Sequence, residues 1–133
     1  MVKFNTEKDG LRPILKDYQE VALKYLWRLD GDGASSREVW VNVNKVMSTD
    51  TSQRDSISRA SIINFLNKMV DEGALNNAEI TGKGGHRGIY SAKHDEAGFK
   101  EHMAKKIISK MLETWPEATR DAIKAIEEEC ARA

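Results

Sequence analysis

The chain has 133 residues, 40% hydrophobic and 32% charged, and its 21 basic and 21 acidic side chains cancel to a formal net charge of zero. That length suits one compact domain, or a small domain carrying a helical appendage. The charge balance excludes a protein that coats nucleic acid by bulk charge, though not a local basic surface, and a single cysteine, Cys130, excludes an internal disulfide framework and a Cys-built zinc site.

Taken in chain order, residues 1–9 lack the apolar stretch of a secretory signal. Pro13 fits the first turn of a helix, where its missing N–H costs nothing. Ile14, Leu15, Tyr18, Val21, Ala22, Tyr25, Leu26 and Leu29 then recur at helical spacing. Asp30-Gly31-Asp32-Gly33 ends this first predicted helix. Ser35 and Glu38 have the spacing of a capping box, and Val39, Trp40, Val43, Val46 and Met47 form the apolar stripe of a second helix. Residues 48–56 are polar and without period, which predicts an exposed loop.

The third helix has the clearest pattern. Ser58 is its expected cap, Ile62, Phe65, Leu66, Met69 and Val70 its apolar stripe, and Gly73 its left-handed stop. Arg59, Ser61, Asn64, Asn67 and Lys68 face outward. A short strand over 74–80, a glycine-rich turn over 81–88 and a strand over 89–91 predict a hairpin. Beyond His94, Phe99, Met103, Ile107, Met111 and Trp115 recur every four residues, with Ile108 and Leu112 widening the stripe. A helix over 95–115 would be about 31 Å long. Pro116 ends it and starts a last helix, with Ala118, Ala122, Ile123, Ile126 and Cys130 on its apolar side. No apolar run approaches the roughly 20 residues that cross a bilayer, so the expected protein is soluble and cytoplasmic.

Three helices followed by a hairpin is the order of a winged helix-turn-helix domain. The expected fold class is α+β, mainly α, with a DNA-binding domain over residues 11–92 and a C-terminal helical dimerisation region over 93–133. Leu26-Trp27, the glycine-containing turn and Ala34-Ser35-Ser36-Arg37-Glu38-Val39 resemble the penicillinase/methicillin-resistance repressor family of winged-helix transcriptional regulators. So does the run from Ser61-Ile62-Ile63-Asn64 to Glu72-Gly73-Ala74-Leu75, which is similar to that family's recognition helix and its glycine exit. The resemblance covers residues from about Tyr18 to Tyr90 and, in layout only, the two last helices. It implies a dimer built by those helices and a palindromic operator. The turn Thr81-Gly82-Lys83-Gly84-Gly85-His86-Arg87 also resembles that of archaeal regulators related to this family. The 48–56 loop is longer than the family's usual connection. The cysteine-rich tail of its copper-responsive members is missing, so copper sensing is not implied, and nothing marks a proteolytic cleavage site.

A recognition helix presents base-edge donors and acceptors to the major groove, arginine pairing bidentately with guanine and asparagine with adenine. Ser58, Arg59, Ser61, Asn64 and Lys68 are the candidates on the third helix; the bland alternative is an ordinary solvated helix face. Ile63, off the apolar stripe, either meets a thymine methyl or packs under the second helix. In the hairpin, Lys83, His86 and Arg87 lie among glycines that let a backbone approach a phosphate. A nucleotide-binding loop is disfavoured, because Gly84 rather than Ser or Thr follows Lys83.

His94 and His102 are too far apart in sequence to form a helical metal pair, and no metal or cofactor is expected. Cys130, beside Glu127, Glu128 and Glu129, is expected to be a small interface hydrophobe rather than a redox sensor. No catalytic constellation appears at a recognisable spacing, so no enzyme is expected. Phe99, Met103, Ile107, Met111, Leu112 and Trp115 need a partner surface, and a second copy of the chain supplies one economically. The leading expectation is a homodimeric regulator, a repressor, on double-stranded DNA. The alternative is a winged-helix protein–protein interaction module within a larger complex.

Overall fold

The computed structural model describes residues 3–48, 56–82 and 85–132, with the side chains of residues 80–87 outside that description. Its elements are α1 (Asp17–Arg28), β1 (Ala34–Ser35), α2 (Ser36–Ser48), α3 (Arg59–Asp71), β2 (Leu75–Gly82), β3 (Gly85–Ala92), α4 (Glu96–Thr114) and α5 (Pro116–Arg132). They fall into two units, Met1–Glu96 and Ala97–Ala133. Most of the expected 48–56 loop lies outside the described residues.

The first helix starts later than the spacing predicts. Residues 11–14 are turns, and α1 begins at Asp17 after Lys16, whose N–H donates to Gln19 Oε1 at 2.9 Å. Pro13 belongs to the turn segment, where its carbonyl accepts the Asn5 N–H at 2.7 Å. Leu11 and Leu15 are buried from this segment, so their apolar spacing reflects packing and not helix. Within α1 the core face is Ala22, Leu23 and Leu26; Leu23, outside the predicted stripe, is fully buried. The helix ends in backbone that favours glycine, with positive φ at Asp30, Gly31 and Gly33.

Gly33 leads into β1, a strand absent from the sequence reading because two residues carry no period. Ala34 pairs with Tyr90 and Ser35 with Ile89, so β3 is the centre of a three-stranded antiparallel sheet in the order β1-β3-β2. A Cβ at Gly33 would lie 2.7 Å from the Tyr90 carbonyl oxygen, a backbone atom with no room to yield. Ser35 then opens α2 with the cap half of the expected box, while Glu38 meets the serine hydroxyl and not its backbone N–H. Ser35 Oγ accepts the Glu38 N–H at 3.2 Å and donates to Glu38 Oε1 at 3.2 Å. Of the predicted α2 stripe only Val39 and Val43 are fully buried.

Around them, α3 contributes Ile62, Phe65, Leu66 and Met69, and the sheet contributes Leu75 and Tyr90. The Tyr18 ring meets Phe65 edge to face, with centroids 6.4 Å apart. Gly73, at φ 82°, closes α3 as predicted. The hairpin is longer than the sequence reading. Its ladder runs from Leu75↔Ala92 to Gly82↔Gly85, so residues 81, 82 and 85–88 of the expected turn are strand; Lys83 and Gly84 lie outside the described residues. Glycine weakens a strand but keeps both backbone groups for the ladder.

In the second unit, Pro116 lacks the N–H that would carry α4 onward. Thr119 Oγ1 donates to the Met111 carbonyl at 3.0 Å, eight residues back, a separation that would span about 12 Å along a straight helix. The chain therefore bends sharply between α4 and α5. Thr119 is the only buried residue of α5.

Candidate nucleic-acid interface

The polar face of α3 stands opposite its buried stripe, with Asn64 and Asn67 near its centre and Arg59 and Lys68 to either side. All four are exposed, Ser61 is half-buried, and Ile63 is half-buried off the stripe. Among the described residues, no side-chain hydrogen bond or ion pair engages Arg59, Asn64 or Lys68. No acidic side chain lies in the first turn, which leaves the positive end of the helix dipole unopposed there. Ser58 and Ser61 are used differently. Ser58 Oγ caps the helix by accepting the Ser61 N–H at 3.1 Å, and the two hydroxyls lie 2.8 Å apart. These serines set where the helix starts.

Two long-range braces fix this helix. At its start, Trp40 and Asn44, one turn apart on α2, grip the backbone of Ile57. Trp40 Nε1 donates to the Ile57 carbonyl at 2.8 Å, Asn44 Nδ2 donates to the same oxygen at 3.1 Å, and Asn44 Oδ1 accepts the Ile57 N–H at 2.8 Å. Farther along, the Tyr90 hydroxyl donates to Asn67 Oδ1 at 2.7 Å, tying α3 to the central strand. Burial pushes the Tyr90 phenol above its ordinary pKa of 10.0, which keeps that donor protonated. Sequence reasoning placed Trp40 in an apolar stripe and gave Asn44 no role. The only available signal was a polar residue one turn from a tryptophan, which is too weak to read alone.

Of the expected hairpin residues, Lys83 lies outside the described residues. The backbones of His86 and Arg87 lie in β3 opposite Thr81 and Ile80, and not in a turn. Of the residues expected at a subunit interface, Phe99 and Met103 are only 1% and 2% exposed in the single chain, Ile107 and Leu112 are half-buried, and Met111 and Trp115 are exposed, Trp115 by 61%. Ile108 on α4 and Ile126 on α5 are exposed as well. Among the described residues, no three His, Cys, Asp or Glu side chains come together as a metal site, and no helix is long and apolar enough to cross a membrane.

The helical trio, the hairpin behind α3 and the strand added by β1 make this a winged-helix fold of the α+β, mainly α, class. Solved structures share it, among them the following two. The Aeropyrum pernix Orc1 protein in complex with DNA matches with a TM-score of 0.53 at 16% identity, over 68% of this chain and 24% of that one. A complex structure of hsRosR-S1 matches with a TM-score of 0.50 at 12% identity, over 89% of this chain and 93% of that one. The chain thus spans about a quarter of the Orc1 chain and nearly all of hsRosR-S1. No protein-family model and no curated protein matches the sequence.

Proposed function

We propose that this chain is a sequence-specific regulator of transcription that binds double-stranded DNA as a homodimer and represses it. The observation that carries the reading is the α3 face. Arg59, Asn64 and Lys68 stand exposed and unengaged among the described residues, on a helix braced at Ile57 and Asn67. Rigid placement of free donors and acceptors is what base reading needs. Arg59 and Asn64 are assigned to base edges and Lys68 to phosphate, with Ser58 and Ser61 shaping the start of the helix. Lys83, His86 and Arg87 are assigned to the flanking backbone. The DNA in the Orc1 structure supports a DNA partner, and the resemblance to the penicillinase/methicillin-resistance repressor family supports repression.

The dimer is assigned to the apolar surface of Ile108, Met111, Leu112, Trp115 and Ile126, which a second copy covers by twofold symmetry. Phe99 and Met103 are already buried in the single chain and are left out of this surface. Twofold symmetry in turn calls for a palindromic operator, with half-sites about 34–36 Å apart or a multiple of that. The role needs no catalysis and no cofactor.

The test is a fluorescence-anisotropy titration of duplexes from the chain's own upstream region, with scrambled duplexes beside them. Asn64→Ala should lose about 5- to 150-fold on the operator alone, equivalent to about 1–3 kcal/mol at one base pair. Equal binding to operator and scrambled duplexes by the unaltered chain would refute sequence-specific reading. Absence of any DNA binding would favour the protein–protein module. Trp115→Glu should convert a dimer to a monomer in sedimentation; a monomeric parent at micromolar concentration refutes the dimer.

A further inference from the structure

We propose that the turn segment ahead of α1 is a second DNA-contacting element, whose Lys8 and Lys16 each hold a backbone phosphate of the duplex beside the stretch that α3 reads. The proposal rests on the DNA-binding reading above and extends it to residues that reading did not assign. Lys8, Arg12, Lys16 and Asp17 line, together with Ile57, a depression of about 560 Å³. Ile57 directly precedes the Ser58 cap of α3, so the depression lies beside the first turn of that helix. A recognition helix enters the major groove by its N-terminal residues. Groups flanking that first turn therefore meet the sugar–phosphate rim of the groove.

The segment is folded and not trailing. Asn5 donates to the Pro13 carbonyl at 2.7 Å, Leu15 N–H donates to the Leu11 carbonyl at 3.0 Å, and Leu11 and Leu15 are buried. The backbone that carries its lysines is thus ordered before any ligand arrives, so no loop has to be ordered on binding.

The three cations have different roles. Arg12 Nε lies 2.9 Å from Glu20 Oε2, so its charge is met within the protein. Lys8 and Lys16 are exposed, and among the described residues no carboxylate pairs with either. Asn5 and the two lysines bring donors to a depression that Leu15, Tyr18 and Ile57 also line. Duplex DNA carries one negative charge per roughly 1.7 Å of axis, so a backbone running past the start of α3 offers phosphates to both lysines.

The experiment uses the full chain with Lys8→Ala and Lys16→Ala combined, titrated against operator and scrambled duplexes between about 50 and about 200 mM salt. Affinity should fall on both duplexes alike, and the log–log salt slope should flatten by about 1.8 per bound protomer. The Lys8→Arg/Lys16→Arg variant, which keeps both charges, should retain the slope. Asn64→Ala is the control for the parent reading and should lose operator preference with its slope unchanged. If the unaltered chain binds the operator selectively while the double alanine variant keeps its slope, this proposal fails and the α3 reading stands. If the unaltered chain binds no duplex, the parent reading fails. If inorganic phosphate binds the unaltered chain but not the double variant, and leaves DNA affinity unchanged at constant ionic strength, the depression is a free-anion site, and its assignment to the DNA backbone is overturned.

Discussion

Asn44→Ala deletes two hydrogen bonds at the approach to α3, the 2.8 Å bond accepted from the Ile57 N–H and the 3.1 Å bond donated to the Ile57 carbonyl. The carbonyl keeps Trp40 Nε1 at 2.8 Å, while the N–H keeps no protein partner. At about 1 kcal/mol for each bond, and with Ile57 only half-buried so that water reaches the orphaned N–H, the cost is about 2 kcal/mol. For a chain of this length that lowers the melting temperature by about 6–10 °C. Asn44→Asp isolates the geometry. One carboxylate oxygen still accepts the Ile57 N–H, but the other replaces Nδ2 against the Ile57 carbonyl, and two acceptors repel unless the acid is protonated. The folded-state pKa of that aspartate therefore rises above its unfolded value of about 3.9. Its stabilisation is fully present below about pH 4 and is lost as the pH rises through the raised value. Thermal melts of all three proteins between about pH 4 and pH 8 measure this, each variant referred to the parent at the same pH. Operator affinity should fall in both variants with the salt slope intact, because Asn44 is assigned no phosphate. An alanine variant that melts within about 1 °C of the parent refutes the clamp, and an aspartate variant whose deficit shrinks toward pH 8 refutes the sign.

Leu66→Ala should cost about 2–5 kcal/mol, because Leu66 is fully buried and its truncation leaves a cavity. Asn64→Ala, on the opposite face, should stay within about 0.5 kcal/mol in the same urea titration, and equal costs would reverse the assignment of faces. Gly33→Ala combines a φ of +77° with a Cβ 2.7 Å from the Tyr90 carbonyl oxygen, and should cost about 2–4 kcal/mol. An unshifted urea midpoint would show that β1 need not approach β3. Tyr90→Phe removes the bond to Asn67 and should cost about 0.5–1.5 kcal/mol, because exposed Asn67 recovers a water partner. Burial raises the Tyr90 pKa, so the phenol's contribution is present below about pH 10 and is lost as the pH climbs through the raised value. A parent–variant difference that grows in alkali would refute that.

The features legible in the sequence are those that local chemistry dictates. Ser58, the stripe from Ile62 to Met69 and Gly73 bounded α3 correctly, because a cap, a period and a left-handed stop all act within a few residues. The Ser35 cap is local in the same way. Contacts made across the chain were hidden. Pro13 resembles a helix start until the Asn5 bond to its carbonyl is seen, and Trp40 resembles a core residue until Ile57 arrives beneath it. The four glycines of 81–88 resemble a loop, because propensity speaks for side chains and the ladder needs only backbone. Phe99 and Met103 share a period with Trp115, yet periodicity cannot say that the first two are buried within one chain while the third is exposed.

The shortness of β1 bears on how the protein is made. Ala34 finds its partner Tyr90 only after α2, α3 and most of the hairpin have been synthesised. At about 5–20 residues per second on the ribosome, that wait lasts roughly 3–11 s, whereas helices form in microseconds. A nascent chain therefore carries its helical trio for seconds with an open strand beside it. A longer strand held unpaired for that time would be a template for a neighbouring nascent chain. Two residues offer too few backbone groups to recruit one, yet they are enough to anchor β3 once it emerges.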